Sequence, residues 1–389
     1  MQYRWVWDFI MIKSFFTIDL KLIMTGVPIP YDLFVNSSAS TNEKFVRIFP
    51  TGDILTKSDL FKLKGKYQQL YIPEDQRSAF MKSITKSDSF EDVEKAKVIK
   101  DAAIQHLETL FSPDKDFSTE VLNDAIDGCK ESVESMVDVL EDYSVDKLQN
   151  LIGELSFHDF YTYDHSMNVG MYSMSLYKSY KPDATRKELV QAGMGGLLHD
   201  LGKIKIPTDI INNPGQLTDD QFDQIKKHPK YGFDLLHDEG TCCDGEINVE
   251  VLGRVIFEHH ENFNGTGYPS KLQGDEIHLL ARITAIADFF DAITTKRSYH
   301  EVVSTEEALS IMANAKGKKV DPTLFDIFVK HVHGLKDRGD LPNVSLPEDF
   351  DPCQPHKSLP LSESKDFGRI KLLEENKKKK KSTKKKKSA

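Results

Sequence analysis

The sequence predicts a mainly α protein, with a helical bundle in its C-terminal half and a small α+β domain at its N-terminus. Three observations carry this. Residues 156–335 are helical in period, with Gly and Pro gathered in loops at 207–217 and 264–274. Residues 91–155 are again helical in period and rich in acids. Short β-type runs alternate with a helical piece only within residues 1–90.

In chain order, Lys44 to Phe49 reads as a strand, closed by a turn at Pro50, Thr51 and Gly52. A helical piece follows, with Ser58 as candidate N-cap and Leu60, Phe61 and Leu63 as its apolar positions. A second strand, Gln69 to Ile72, is stopped by Pro73. This N-terminal domain holds no cluster of catalytic type, so a regulatory role is expected. Residues 91–155 read as a helical connector, in which Val133, Met136, Val137 and Leu140 fall at helical spacing. Residues 336–389 turn to Pro, Ser, Asp and Lys with little periodicity, the signature of a disordered, Lys-rich tail. No internal repeat is evident.

Trp5 to Met24 is apolar but interrupted by Asp8, Lys13, Asp19 and Lys21, each costly at a bilayer centre. It lacks a small-residue cleavage site. The expectation is a cytoplasmic protein without a transmembrane segment. Met24 is a second candidate start, since Thr25 to Leu33 already reads as the opening of a domain; the choice between Met1 and Met24 stays open.

The 389 residues carry a formal charge of −10, unevenly spread. Lys377 to Ala389 hold nine lysines and no acid, so the remainder carries −10 − 9 = −19. An acidic body argues against a nucleic-acid polymer as partner. It is compatible with a phosphate ester, because bound divalent metals invert the field of an acidic pocket. The basic tail reads as a solvated end. Cys129, Cys242, Cys243 and Cys353 show no C-x-x-C spacing and read as reduced thiols.

The chemistry lies in an ordered series: His165, His199-Asp200, His228, His259-His260 and Asp288. Successive members stand about thirty residues apart, which suits one helix and a connection per ligand in a bundle. The doublets and the late Asp sit in apolar helical runs: Leu197, Leu198 and Leu201 around the first, Val255, Ile256 and Phe257 before the second, Ile283, Ile286 and Ala287 before Asp288. Titratable groups in such surroundings need partners, and metal ions supply them. Imidazole and carboxylate without thiolate suit Fe, Mn, Zn or similar ions. Seven side chains exceed one tetrahedral site and suit two metals with a bridging carboxylate, an arrangement that hydrolyses phosphoesters.

His199-Asp200-Leu201-Gly202-Lys203 resembles the HD-x-G-K signature of HD-superfamily phosphohydrolases. His259 to Pro269, HHENFNGTGYP, resembles the HHE-x-x-D-G-x-G-Y-P loop of the HD-GYP subgroup, and Ile286 to Ile293 with Lys296 to Tyr299 is similar to its closing motif. The resemblance covers about residues 158–335. It implies an HD-type helical bundle and hydrolysis of cyclic di-GMP to pGpG or GMP by a hydroxide bridging two divalent transition metals, Fe or Mn, with Zn, Ni or Co as further candidates. By the same resemblance His165, His199, Asp200 and Asp288 hold one metal, and Asp200 bridges to a second held by His228, His259 and His260. Asp200 and Lys203 are then the catalytic pair, Lys203 and Arg297 the phosphate contacts, and Gly267, Tyr268 and Pro269 the border of the substrate or of a signalling partner. A homodimer is left open.

Family members with a third metal carry a glutamate four residues before the first histidine; Tyr161 stands there, so a two-metal centre is expected. Asn264 replaces the usual loop aspartate, and His300 a common second base after Arg-x-Tyr. These departures favour a second reading, a weakly catalytic cyclic di-GMP-binding module that signals through protein contacts, against which every candidate metal ligand is present; a third, a hydrolase of another nucleotide, is opposed by the intact Gly265 to Pro269 loop.

Overall fold

The structure, a computed structural model, describes residues 14–37, 44–111, 118–140, 161–211, 213, 217–238, 247–294 and 305–332. Arg297, His300, three of the four cysteines and the lysine tail lie outside these residues.

The N-terminal part holds a four-stranded antiparallel sheet of β1 (Phe15–Ile18), β2 (Leu33–Asn36), β3 (Phe45–Phe49) and β4 (Leu70–Pro73), in the order β1-β4-β2-β3. The two strands expected from sequence are β3 and β4. β1 lay hidden in the apolar opening stretch, and β2 is almost wholly buried, so it shows no two-residue alternation. β1 precedes Met24 and pairs with β4, Phe16 opposite Ile72, which corrects the reading of Thr25 as the opening of the domain. Helix α1 (Lys57–Lys64) is capped by Thr56 rather than Ser58. Thr56 Oγ1 accepts from Asp59 N–H at 3.1 Å while the Asp59 carboxylate accepts from Thr56 N–H at 3.1 Å, a reciprocal box that leaves Ser58 in the first turn. Tyr31, Leu33, Leu55, Leu70 and Ile72 form the core, with Met81 and Ile84 from α2 (Arg77–Thr85).

Two long helices follow, α3 (Asp92–Phe111) and α4 (Thr119–Leu140), which pack on each other and on the bundle beyond. Glu131 on α4 holds Lys82 of α2 at 2.9 Å, and Lys100 on α3 pairs at 2.9 Å with Asp164, the neighbour of His165. The bundle comprises α5 (Tyr161–Tyr180), α6 (Arg186–Leu198), α7 (Thr208–Ile211), α8 (Asp219–Ile225), α9 (His228–Asp238), α10 (Val249–Glu258), α11 (Leu279–Thr294), α12 (Thr305–Ala313) and α13 (Pro322–Val332). α5 packs on α6 and α11, and α10 touches α6, α9 and α11. The buried apolar side chains form one cluster from Ile18 to Val332, in which the connector helices share both cores. Among the described residues no helix is long and apolar enough to cross a membrane.

Candidate metal centre

Helix ends place the histidines. The last carbonyls of an α-helix have no partner inside it. At three helix ends here a histidine ring turns back to one of them, Nδ1 to the carbonyl three residues earlier: His199 to Gly196 O at 2.7 Å, His228 to Ile225 O at 2.8 Å, His259 to Ile256 O at 2.8 Å. A carbonyl only accepts, so each Nδ1 carries the proton and each Nε2 is aimed inward. His199 caps α6, His228 follows the end of α8, and His259 caps α10.

His165 is held differently. It lies in α5 and its Nδ1 stands 2.7 Å from Asp291 Oδ2, while Asn168, one turn on, donates to Asp291 Oδ1 at 2.9 Å. Its Nε2 faces Asp288 Oδ1 at 3.0 Å. Two pairs at i, i+3 thus interlock, His165 and Asn168 on α5 with Asp288 and Asp291 on α11. Asp291 and Asn168 are almost fully buried. Both were missed in sequence, where the signal was the Asp288-x-x-Asp291 spacing on one helix face.

The seven expected ligand residues come together in two sets that share Asp200. Ligating atoms of Asp200, His228, His259 and His260 lie within 4.8 Å of one another, and so do those of His165, His199 and Asp200. Asp288 Oδ1 stands 3.9 Å from His199 Nε2 and joins the second set. Asp200 Oδ2 is 3.2 Å from His199 Nε2, and its Oδ1 is 3.3 Å from His228 Nε2.

The donor set fits a cation. His228 Nε2 and His259 Nε2 stand 3.2 Å apart, yet both rings have already spent their proton on a carbonyl, so two lone pairs face each other. Burial lowers the pKa of His228 to about 4 and of His259 to about 3, and holds half-buried His260 well below the usual range, so these rings are neutral at pH 7. Buried Asp200 Oδ1 accepts no hydrogen bond. Neutral lone pairs converging on a buried carboxylate are satisfied by a positive ion between them. His165 is the exception: burial opposes its charge, but the hydrogen bonds of Asp288 and Asp291 outweigh it and raise the pKa to about 9. Burial alone would raise the two aspartates. His199 and Lys203 beside Asp200, and His165 and His199 beside Asp288, hold both carboxyls well below their usual range.

Of the expected substrate contacts, Lys203 sits in the short 3-10 helix Leu201–Lys205, its Nζ 2.5 Å from Asp200 Oδ2. Gly267, Tyr268 and Pro269 lie beside His260, with the Tyr268 ring stacked on the imidazole at 4.8 Å between centroids. The loop runs so close to the chain that a Cβ on Gly267 would come within 2.1 Å of Asn262 N. Buried Glu261 fastens it, accepting from Ser270 N–H at 2.6 Å and Leu272 N–H at 3.2 Å. Asn264 leaves the loop's bonding intact: its Oδ1 accepts from Thr266 N–H at 3.2 Å and Thr266 Oγ1–H at 2.7 Å, as an aspartate there could. Tyr161 opens α5.

Residues 152–324 match the family described as HD domain. A Pseudomonas aeruginosa protein named cyclic di-GMP phosphodiesterase is 35% identical over 243 residues, 61% of this chain and 56% of that protein. A Vibrio cholerae protein named 3'3'-cGAMP-specific phosphodiesterase 2 is 31% identical over 201 residues, 52% of this chain and 37% of that protein. The chain therefore spans about half the length, or less, of these relatives. Among solved structures, an HDG"Y"P protein from Bdellovibrio bacteriovorus matches with a TM-score of 0.50 at 19% identity, over 81% of this chain and 98% of that one. At that identity the likeness speaks for the fold.

Proposed function

We propose that this chain, whose residues 152–324 match the HD domain family, is a metal-dependent phosphodiesterase that hydrolyses cyclic di-GMP to pGpG or GMP. The observation that carries the reading is the pair of ligand sets joined through Asp200. His165, His199, Asp200 and Asp288 would hold one divalent ion, and Asp200, His228, His259 and His260 the other, with Fe or Mn as the ions that suit imidazole and carboxylate. Such ions, once bound there, would supply Lewis acidity and lower the pKa of water toward neutrality.

The chain's own part is positioning. Carbonyls of Gly196, Ile225 and Ile256 orient three imidazoles, and the Asp291 carboxylate orients a fourth. Lys203 keeps its ammonium beside Asp200, where it meets a phosphate oxygen as a point charge. Arg297, by its place in the closing motif, takes the second phosphate. Tyr268, held by Glu261 through the loop, borders the substrate on the His260 side. Residues 1–90 act as a regulatory domain that reaches the bundle through the connector at 91–155, and the loop at 267–269 or that domain receives a signalling partner.

The test is hydrolysis of cyclic di-GMP by protein loaded anaerobically with Fe(II) or Mn(II), beside Asp200→Ala. Linear product from the intact protein alone supports the reading. Binding without turnover would move the protein to the sensor class. Faster turnover of 3'3'-cGAMP would reassign the substrate, and neither binding nor turnover of any cyclic dinucleotide would refute the proposal.

A further inference from the structure

Beside the candidate metal centre a pocket is lined by His259, His260, Asp288, Tyr268 and Lys319. Among its described lining residues Lys319 is the one ammonium. Lys203 lies in a different pocket, with Asp200, Tyr163 and Phe111.

Several fixed contacts determine where Lys319 stands. It belongs to the tight turn before α13, where Lys319 N–H donates to Ala315 O at 2.8 Å. Its own carbonyl accepts from Phe263 N–H at 3.1 Å, and the carbonyl of Lys318 accepts from Asn264 N–H at 2.8 Å. The turn is thus clasped to the Gly265–Pro269 loop. Asp321, two residues on, caps α13 through Thr323 N–H at 2.8 Å and takes Arg282 of α11 at 2.8 Å. Its lysine neighbours Lys316 and Lys318 are exposed, whereas Lys319 is half-buried.

We infer that Lys319 is a substrate-binding residue that holds the non-scissile phosphodiester of a cyclic dinucleotide, an inference that rests on the phosphodiesterase reading above. A cyclic dinucleotide brings two phosphodiester charges. One lies over the ligand cluster beside Lys203, and the other needs a cation at ring distance. The closing motif offers Arg297 but has His300 where a second base is expected. Lys319 supplies that charge from an element remote in sequence, pinned to the same loop that carries Tyr268.

The test compares wild type, Lys319→Met, which keeps most of the aliphatic chain and drops the charge, and Lys319→Arg, all metal-loaded. Binding of a phosphorothioate analogue of cyclic di-GMP is measured directly and turnover separately. Lys319→Met should weaken binding about tenfold or more, the scale of one charged hydrogen bond, and raise KM by more than it lowers kcat. Lys319→Arg should restore most of the affinity, with metal content and Tm as in wild type. Unchanged binding by Lys319→Met overturns the inference, as does weakening that Lys319→Arg fails to rescue. A wild type that neither binds nor cleaves any cyclic dinucleotide overturns the functional reading beneath it, an outcome visible before any variant is compared.

Discussion

The two halves of the candidate centre are built from different materials. On the side of His228, His259 and His260 the groups are imidazoles at helix ends, two of them oriented by backbone carbonyls and all neutral at pH 7. On the other side His199 is turned by a carbonyl as well, but His165 is carboxylate-anchored, with Asp291 behind the ring, Asp288 before it and its pKa raised to about 9. Asp200 belongs to both. The first half is ready for a cation as folded, whereas the second must release a proton to take one. On the proposed two-metal reading, the two halves would take their ions with different pH dependence.

The largest effect falls on the shared residue. Asp200→Ala removes a ligand from each half, and metal analysis by mass spectrometry should find the content fall from two equivalents toward none, with turnover at background. Retention of one tight equivalent would show that the halves bind independently, and would break the idea of a joint centre.

Acidity should separate the halves without any mutation. His165, its pKa raised to about 9, is protonated below that pH in the metal-free protein. Metal uptake there releases the proton, so affinity falls about tenfold per pH unit as pH drops, or about a hundredfold from pH 8 to pH 6. His228 and His259, lowered to about 4 and 3, stay neutral over that range, so their half keeps its affinity. Equilibrium dialysis against Mn(II) should give two equivalents at pH 8 and one at pH 6. Parallel loss of both would contradict the asymmetry.

Asp291→Asn sharpens the same contrast. The amide still accepts from His165 Nδ1–H but no longer carries charge, so affinity in the His165 half should fall roughly tenfold, the scale for a partner behind a ligand. The His228 half should not respond. Titration with a competing chelator reads the two constants separately, and an equal fall in both would show that Asp291 acts on the whole fold.

What was legible in the sequence, and what was not, follows the same division. The seven ligand candidates stood out because His and Asp are costly in apolar helical runs; the structure groups six of them in two sets and sets Asp288 against His165 and His199. Their orientation was hidden. The carbonyls that turn His199, His228 and His259 are backbone, which no residue type announces. Asp291 meets its partners 126 and 123 residues upstream, a distance no local pattern spans. Lys319 likewise stands in a lysine run that reads as solvated surface until the fold pins it to the Gly265–Pro269 loop. In the sheet, β3 and β4 carried strand signals, while buried β2 showed no alternation and β1 was masked by its apolar neighbours.

The smallest expected effect probes the support of the imidazole-rich half. Glu261 is 3% exposed and holds the loop through the amides of Ser270 and Leu272. Glu261→Gln keeps the shape but sets an NH2 against one of those N–H donors, leaving a buried amide unsatisfied at a cost of about 1–3 kcal/mol. Hydrogen exchange should quicken at Ser270 and Leu272. Tyr268 should loosen from His260, raising KM more than it lowers metal content. The His165 half, anchored on α5 and α11, lies outside this loop and should keep its affinity and its pH dependence. If Glu261→Gln shifted the His165 constant as strongly as the His260 side, the two halves would be one mechanical unit, and the asymmetry would be confined to their protons.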